Sequence, residues 1–179
     1  MNKVALLMGT NQCLHRSQPD GATCLGRHAL MEQATVLIQQ RIGTVVAVSG
    51  TYETEPWGLF DEEAPQTFLN KALLVETPLD AHGVLREAQA IELELGRERP
   101  DTGTAETCAR RGQGRVYHSR PMDIDVIFYN DEAIDTADLQ VPHPRMHLRR
   151  FVLEPLAEIM PDYRHPILGK TVKELLYEV

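Results

Sequence analysis

Apolar positions along this chain alternate between strand-like runs and helical spacing. Residues 3–8 (Lys3-Val4-Ala5-Leu6-Leu7-Met8) form a nearly continuous apolar run and end in Gly9-Thr10-Asn11. Such a run reads as a buried strand, and the Gly-polar-Asn stop reads as a turn able to offer backbone N–H groups to an anion. Residues 12–25, with His15, Ser17, Pro19 and Gly21, read as a loop. From 27 to 41, Leu30, Met31, Ala34, Leu37 and Ile38 recur at three/four spacing before Gly43, which predicts an amphipathic helix.

A second strand is expected over 44–49, continuing towards Thr54. It is followed by the Pro/Gly loop Glu55-Pro56-Trp57-Gly58, which carries the only Trp. Residues 67–77 predict a third strand, with polar Asn70 inside it. That amide fits a satisfied core group and a ligand-reading group equally well. Residues 80–95 predict a second helix, capped by Asp80 and stopped by Gly96.

From 97 to 119 the apolar period disappears. The segment carries Arg97, Arg99, Arg110, Arg111 and Arg115 with Gly103, Gly112 and Gly114, and reads as a long loop. A loop of this length in a compact domain is usually functional or disordered. Residues 124–129 predict the central strand, 133–140 a short hairpin arm, 149–159 a helix and 171–178 a short terminal helix. The resulting β-α-β-β-α-β order predicts an α+β, ferredoxin-like sandwich over 1–179 as one domain. Its mostly antiparallel sheet would carry helices on one face, with a C-terminal helical extension.

The composition is that of an ordinary globular chain: 42% hydrophobic, 25% charged, net charge −8. An acidic balance argues against a general nucleic-acid binder. No apolar run reaches the roughly 20 residues of a membrane span, and the N-terminal run is too short for a signal peptide, so a cytoplasmic protein is expected. Three Cys without C-x-x-C spacing support neither a disulfide framework nor a zinc site.

The chemistry concentrates at Arg120-Pro121-Met122-Asp123-Ile124-Asp125. On a strand, Asp123 and Asp125 share a face, with Cα atoms about 6.6 Å apart. Two adjacent carboxylates repel unless a proton or a cation lies between them. A lone D-x-D more often marks a solvated edge strand. Here an Arg/Gly-rich segment precedes it and an apolar one follows, which favours a Mg²⁺ site completed by phosphate, with Arg120 in reach.

With these motifs placed, the chain resembles the 6-hydroxymethyl-7,8-dihydropterin pyrophosphokinases of folate synthesis. Gly9-Thr10-Asn11 resembles the family's G-S-N turn, and Tyr52-Glu53-Thr54-Glu55-Pro56-Trp57-Gly58 its Y-x-T-x-P-x-G segment. Phe68-Leu69-Asn70 resembles its [YF]-x-N, and Ile91-Glu92 with Gly96-Arg97 its I-E…G-R helix end. Arg120 to Asp125 resembles its R-x-x-D-x-D, and Val141-Pro142-His143 with Arg149 and Phe151 its V-P-H…R-x-F. The marks run in family order through most of the chain.

The resemblance implies the same sandwich fold and transfer of pyrophosphate from ATP to the hydroxymethyl group of the pterin, releasing AMP. It implies that Asp123 and Asp125 hold two Mg²⁺ ions and act in catalysis together with Arg97 and Arg120. Arg120 and Arg149 would neutralise phosphate charge and His143 would contact the phosphate chain. Glu92, Arg99 and Ile124 would lie on the nucleotide side, with Arg97 and Arg99 at the base of a closing loop. The pterin would stack between Phe68 and Phe151, read by Asn70 and by the backbone around Thr54, Glu55 and Pro56, with Trp57 closing over it. A monomer acting on these small molecules, without nucleic acid or membrane partners, is expected.

The chain departs from the pattern where Tyr117-His118-Ser119-Arg120 replaces the usual W-G-P-R and where Pro144 follows His143. Two rivals are a ligand-binding or regulatory domain without catalysis, and another Mg²⁺-dependent phosphoryl or nucleotidyl transferase. The products separate them: none for the first, ADP or pyrophosphate instead of AMP for the second.

Overall fold

The computed structural model describes residues 1–18, 21–56, 59–60, 66–96, 116–117 and 121–179. Its centre is β1 (Asn2–Thr10). That strand pairs antiparallel with β7 (Phe68–Thr77) on one side and with β9 (Asp123–Tyr129) on the other. The strand β4 (Thr44–Val48) pairs antiparallel with β7 and takes the far edge, giving the order β4-β7-β1-β9. The short β5 (Tyr52–Thr54) extends along the same edge of β7. This is the strand order of a ferredoxin-like sandwich.

Both faces of β1 are covered. Val4, Leu6 and Met8 point to one side, where they meet Leu30, Met31, Ala34 and Ile38 of α1 (Arg27–Arg41). Val84, Ala88 and Ile91 of α2 (Ala81–Glu94) complete that layer. Ala5 and Leu7 point to the other side, against Val152, Leu153 and Leu156 of α3 (Arg150–Ile159) and Val172 and Leu175 of α4 (Val172–Tyr177). The C-terminal extension therefore forms a second helical layer on the face opposite α1 and α2. Coverage on both sides is why β1 is continuously apolar rather than alternating. Leu6 is fully buried, and its truncation to Ala is expected to cost about 2–5 kcal/mol.

The helix ends follow their sequence signals. The Asp80 carboxylate accepts from Gly83 N–H at 2.6 Å, and Gly96 leaves α2 at φ +92°, a conformation suited to glycine. Thr171 and Glu174 form a reciprocal capping box at the start of α4.

Residues 12–25, expected as a loop, contain a β-hairpin instead. Its strands β2 (Leu14–Gln18) and β3 (Gly21–Leu25) pair from Leu14↔Leu25 to Gln18↔Gly21. Polar, short strands carry little periodic signal, although Pro19-Asp20-Gly21 is turn-forming sequence between them. Within the segment expected as one long loop, β8 (Val116–Tyr117) pairs parallel with β6 (Leu59–Phe60). The arm after β9 consists of β10 (Ile134–Asp135) paired with β11 (Gln140–Val141).

Candidate active site

Strand register brings the site together. Gly9 of β1 pairs with Asn70 of β7 on one side and with Asp123 of β9 on the other. Tyr52 of β5 pairs with Asn70, and Thr54 with Phe68. Two rungs further along, Leu7 pairs with Asp125. These residues lie on the face covered elsewhere by α3 and α4. Towards the Gly9 end of the sheet the helical cover stops, and a cleft opens.

The cleft encloses about 580 Å³ of empty space, including its open mouth. Its floor is Leu7 and Gly9, its walls include Phe68, Asn70 and Phe151, and its far end is Asp123, Asp125 and Arg149. Thr54 and Glu55 form part of the rim. A Cβ placed on Gly9 would lie 3.6 Å from Asn70 Oδ1 and 4.0 Å from Phe68 Cδ1, so glycine keeps the floor flat between the amide and the acids.

Asn70 is buried and its Nδ2 donates to Thr54 Oγ1 at 2.8 Å. That bond fixes the amide plane and turns Oδ1 towards the Gly9 floor. Behind the rim, Arg27 of α1 donates to Thr67 O at 2.6 Å and pairs with Glu53 at 3.2 Å. It thereby clamps the residues that immediately precede Phe68 and Thr54. Arg27 carried no functional signal in the sequence, because the contact joins segments 40 residues apart.

Asp123 and Asp125 are partly exposed, whereas the intervening Ile124 is buried on the opposite face. Arg149 is buried at the junction of α3 with the single turn Met146–Leu148, its guanidinium 5.7 Å from the Phe151 ring. Two carboxylates and one guanidinium thus share the inner end of the cleft, a donor set suited to a hard cation and an anionic ligand. Among the described residues no group of three or more His, Cys, Asp or Glu forms a ready-made metal cage. The two acids alone fit Mg²⁺ that takes its remaining oxygens from phosphate and water.

A second, more open depression lies along the outer edge of β9. Asp125 lines it as well, together with Thr136, Asp138, Gln140, His143 and Pro144. The two concavities therefore meet at Asp125. Burial, reinforced by the positive charge of Arg149, lowers the His143 pKa to about 4 against the opposing pull of Asp123. At neutral pH His143 is therefore an uncharged hydrogen-bonding group. Its Nδ1 accepts from Arg145 N–H at 3.3 Å, which leaves Nε2 as the N–H donor.

Of the remaining residues expected at the site, Glu92 is buried behind β9, its carboxylate accepting from Ile124 N–H at 2.7 Å. Pro56 is half-buried beside the rim but does not line the cleft. The turn at 10–11 is buried rather than facing the cleft. Trp57, Arg97, Arg99 and Arg120 lie outside the described residues, as do Arg110, Arg111 and Arg115.

An antiparallel α+β sandwich carries this slot and its carboxylate pair, and comparisons with known proteins give the family. Residues 21–161 match the family model for 7,8-dihydro-6-hydroxymethylpterin-pyrophosphokinase (HPPK), and the chain belongs to that family. A 2-amino-4-hydroxy-6-hydroxymethyldihydropteridine pyrophosphokinase of Porphyromonas gingivalis is 36% identical over 147 residues, covering 82% of this chain and 90% of the relative. One from Bacillus subtilis is 40% identical over 140 residues, covering 78% and 74%. Among solved structures, a Plasmodium falciparum HPPK-DHPS triple mutant superposes over 99% of this chain with a TM-score of 0.68 at 18% identity. The chain spans 44% of that larger chain, so the likeness concerns the fold.

Proposed function

We propose that this cleft transfers pyrophosphate from ATP to 6-hydroxymethyl-7,8-dihydropterin, yielding the pterin diphosphate and AMP on the way to tetrahydrofolate. The observation that carries this reading is the meeting of two concavities at Asp125, one of the Asp pair. One is a flat, partly aromatic slot with a fixed amide; the other is an edge depression with polar and neutral imidazole groups.

The pterin occupies the slot between Phe68 and Phe151, with Asn70 reading its polar edge, Thr54 and Glu55 forming the rim and Pro56 beside it. Offset contact with aromatic rings suits a flat heterocycle. ATP lies along the edge depression, its phosphates towards His143, Asp125 and Arg149. The hydroxymethyl oxygen attacks the β-phosphorus, the bond from that phosphorus to the α-phosphate oxygen breaks, AMP leaves, and the hydroxyl proton is lost. Asp123, which lines the slot beside its Gly9 floor, accepts that proton.

Asp123 and Asp125 would hold two Mg²⁺ ions, and such ions would supply charge neutralisation for the phosphates and the reacting oxygens. Arg149 adds a buried positive charge, while neutral His143 donates from Nε2. Arg97, Arg99 and Arg120 supply the remaining positive charge, and Trp57 covers the pterin. Positioning and charge neutralisation dominate this kind of transfer, and exclusion of water prevents hydrolysis. We take the working unit to be a monomer in the cytoplasm.

Incubation with ATP, Mg²⁺ and 6-hydroxymethyl-7,8-dihydropterin tests the reading by chromatography. AMP and pterin diphosphate in equal amounts support it. ADP or free pyrophosphate as product would point to another transferase, and no turnover with retained pterin binding to a binding domain.

A further inference from the structure

The two acids do not aim themselves. They stand on β9, which is the edge strand of the sheet, next to β1 on one side only. An edge strand exposes a row of backbone N–H groups that water ordinarily takes up, and such a strand has freedom to twist and slip. At Ile124, between the two acids, that does not happen. Its N–H donates to Glu92 Oε1 at 2.7 Å in a buried hydrogen bond, and Glu92 itself is 3% exposed.

We infer that Glu92 is a positioning residue: it fixes the peptide between Asp123 and Asp125, and so sets the direction in which both carboxylates face the cleft. The inference rests on the reading of that pair as the cation site. Glu92 lines neither depression. It sits in the last turn of α2, held from within by Ile91 and Leu95, both fully buried in the main core. The helix is thus a rigid mount, and its carboxylate reaches through the layer to one backbone group of the acidic strand.

A hydrogen bond from a backbone N–H to an ionised carboxylate is stronger than a neutral one. The arrangement also sets another negative charge within a residue of two others, which is electrostatically unfavourable in the absence of a cation. With a cation bound on the cleft side, the same charge adds to the field that attracts it. Partners of this kind, one bond removed from the ligands, typically change metal affinity 10- to 100-fold when lost.

Two conservative variants separate anchoring from a direct electrostatic role. Glu92→Gln keeps an oxygen acceptor at the same reach but loses the charge. Glu92→Asp keeps the charge but shortens the reach by one methylene. Three measurements are made on each full-length protein: hydrogen exchange of the Ile124 amide, Mn²⁺ uptake by calorimetry with a non-hydrolysable ATP analogue present, and pterin affinity by fluorescence. Wild-type Mn²⁺ uptake checks the cation reading separately.

Positioning predicts that Glu92→Gln keeps the amide protected and Mn²⁺ affinity within about 3-fold. It predicts that Glu92→Asp exposes the amide and weakens Mn²⁺ about 10- to 100-fold, with pterin affinity unchanged. The inference is overturned if Glu92→Asp binds Mn²⁺ like wild type, or if Glu92→Gln loses affinity while the amide stays protected. A wild-type protein that takes up no Mn²⁺ would overturn the cation reading instead, irrespective of how the variants exchange.

Discussion

Asn70 and Asp123 stand on the same rung of the sheet, each paired with Gly9 from opposite sides. Two strand spacings separate them, about 10 Å between Cα atoms. That span matches a bicyclic heterocycle lying over a residue with no side chain, its polar edge at the amide and its reactive arm at the acid.

Replacement of Gly9 tests this layout directly. Gly9→Ala places a methyl group at ordinary contact distance from Asn70 Oδ1 and is expected to weaken pterin binding only a few-fold. Gly9→Val fills the floor and is expected to weaken it at least about 100-fold, while affinity for the ATP analogue stays within about 3-fold. Fluorescence titration of the pterin and calorimetry of the nucleotide read the two separately. Equal losses for both ligands would mean that the floor does not belong to the pterin alone.

Asn70→Ala removes a buried amide that donates to Thr54. A site built to hydrogen-bond its ligand loses about 1–3 kcal/mol when one partner is deleted, or roughly 5- to 150-fold in affinity. The loss is expected in pterin binding, measured by titration. An unchanged constant would make Asn70 a purely structural amide.

Asp123→Ala and Asp125→Ala are each expected to lower AMP formation at least about 1,000-fold. Both side chains are partly exposed, and removal of one of two like charges relieves repulsion, so unfolding free energy should change by less than about 1 kcal/mol. Chelation with EDTA is expected to stop turnover of the wild type without unfolding it. Product assays alongside calorimetric melting check all three, and sustained turnover in the double variant would remove the pair from the chemistry.

Stability is expected to fall on the acid side of neutrality for a reason located far from the cleft. His165 is buried, and its Nδ1 accepts from Ile167 and Leu168 N–H groups, each at 3.2 Å. Burial first, then neighbouring His147, pulls its pKa below the ordinary 6.5. His143, near 4, shifts in the same direction. The unfolded chain therefore binds more protons than the folded one below about pH 6.5, and stability rises with pH through that window and levels off above it. Urea titrations from pH 5 to 8 will show this slope. His165→Asn, which can offer an acceptor that does not titrate, is expected to flatten it without abolishing it, because His143 remains.

Much of this arrangement was legible in the chain, and the failures have physical causes. Helix α1 and the caps at Asp80 and Thr171 follow from short-range signals, as does the shared face of Asp123 and Asp125. The β2–β3 hairpin escaped because its short, largely polar strands carry no apolar period in the sequence. Register was not legible: nothing local tells Gly9 that its neighbours are Asn70 and Asp123, at separations of 61 and 114 positions. Nor could spacing reveal that Glu92 turns towards the backbone of β9, or that burial keeps His143 neutral.

Leu7 and Phe151 belong at once to the apolar layer beneath α3 and to the lining of the slot. The slot is therefore an unfinished corner of the protein's own interior, and on the proposed function the pterin would be the piece that completes it. Occupancy will stiffen that corner and raise the melting temperature with ligand concentration. Conversely, any side chain that completes the packing permanently will make a sturdier protein with nowhere to seat its substrate.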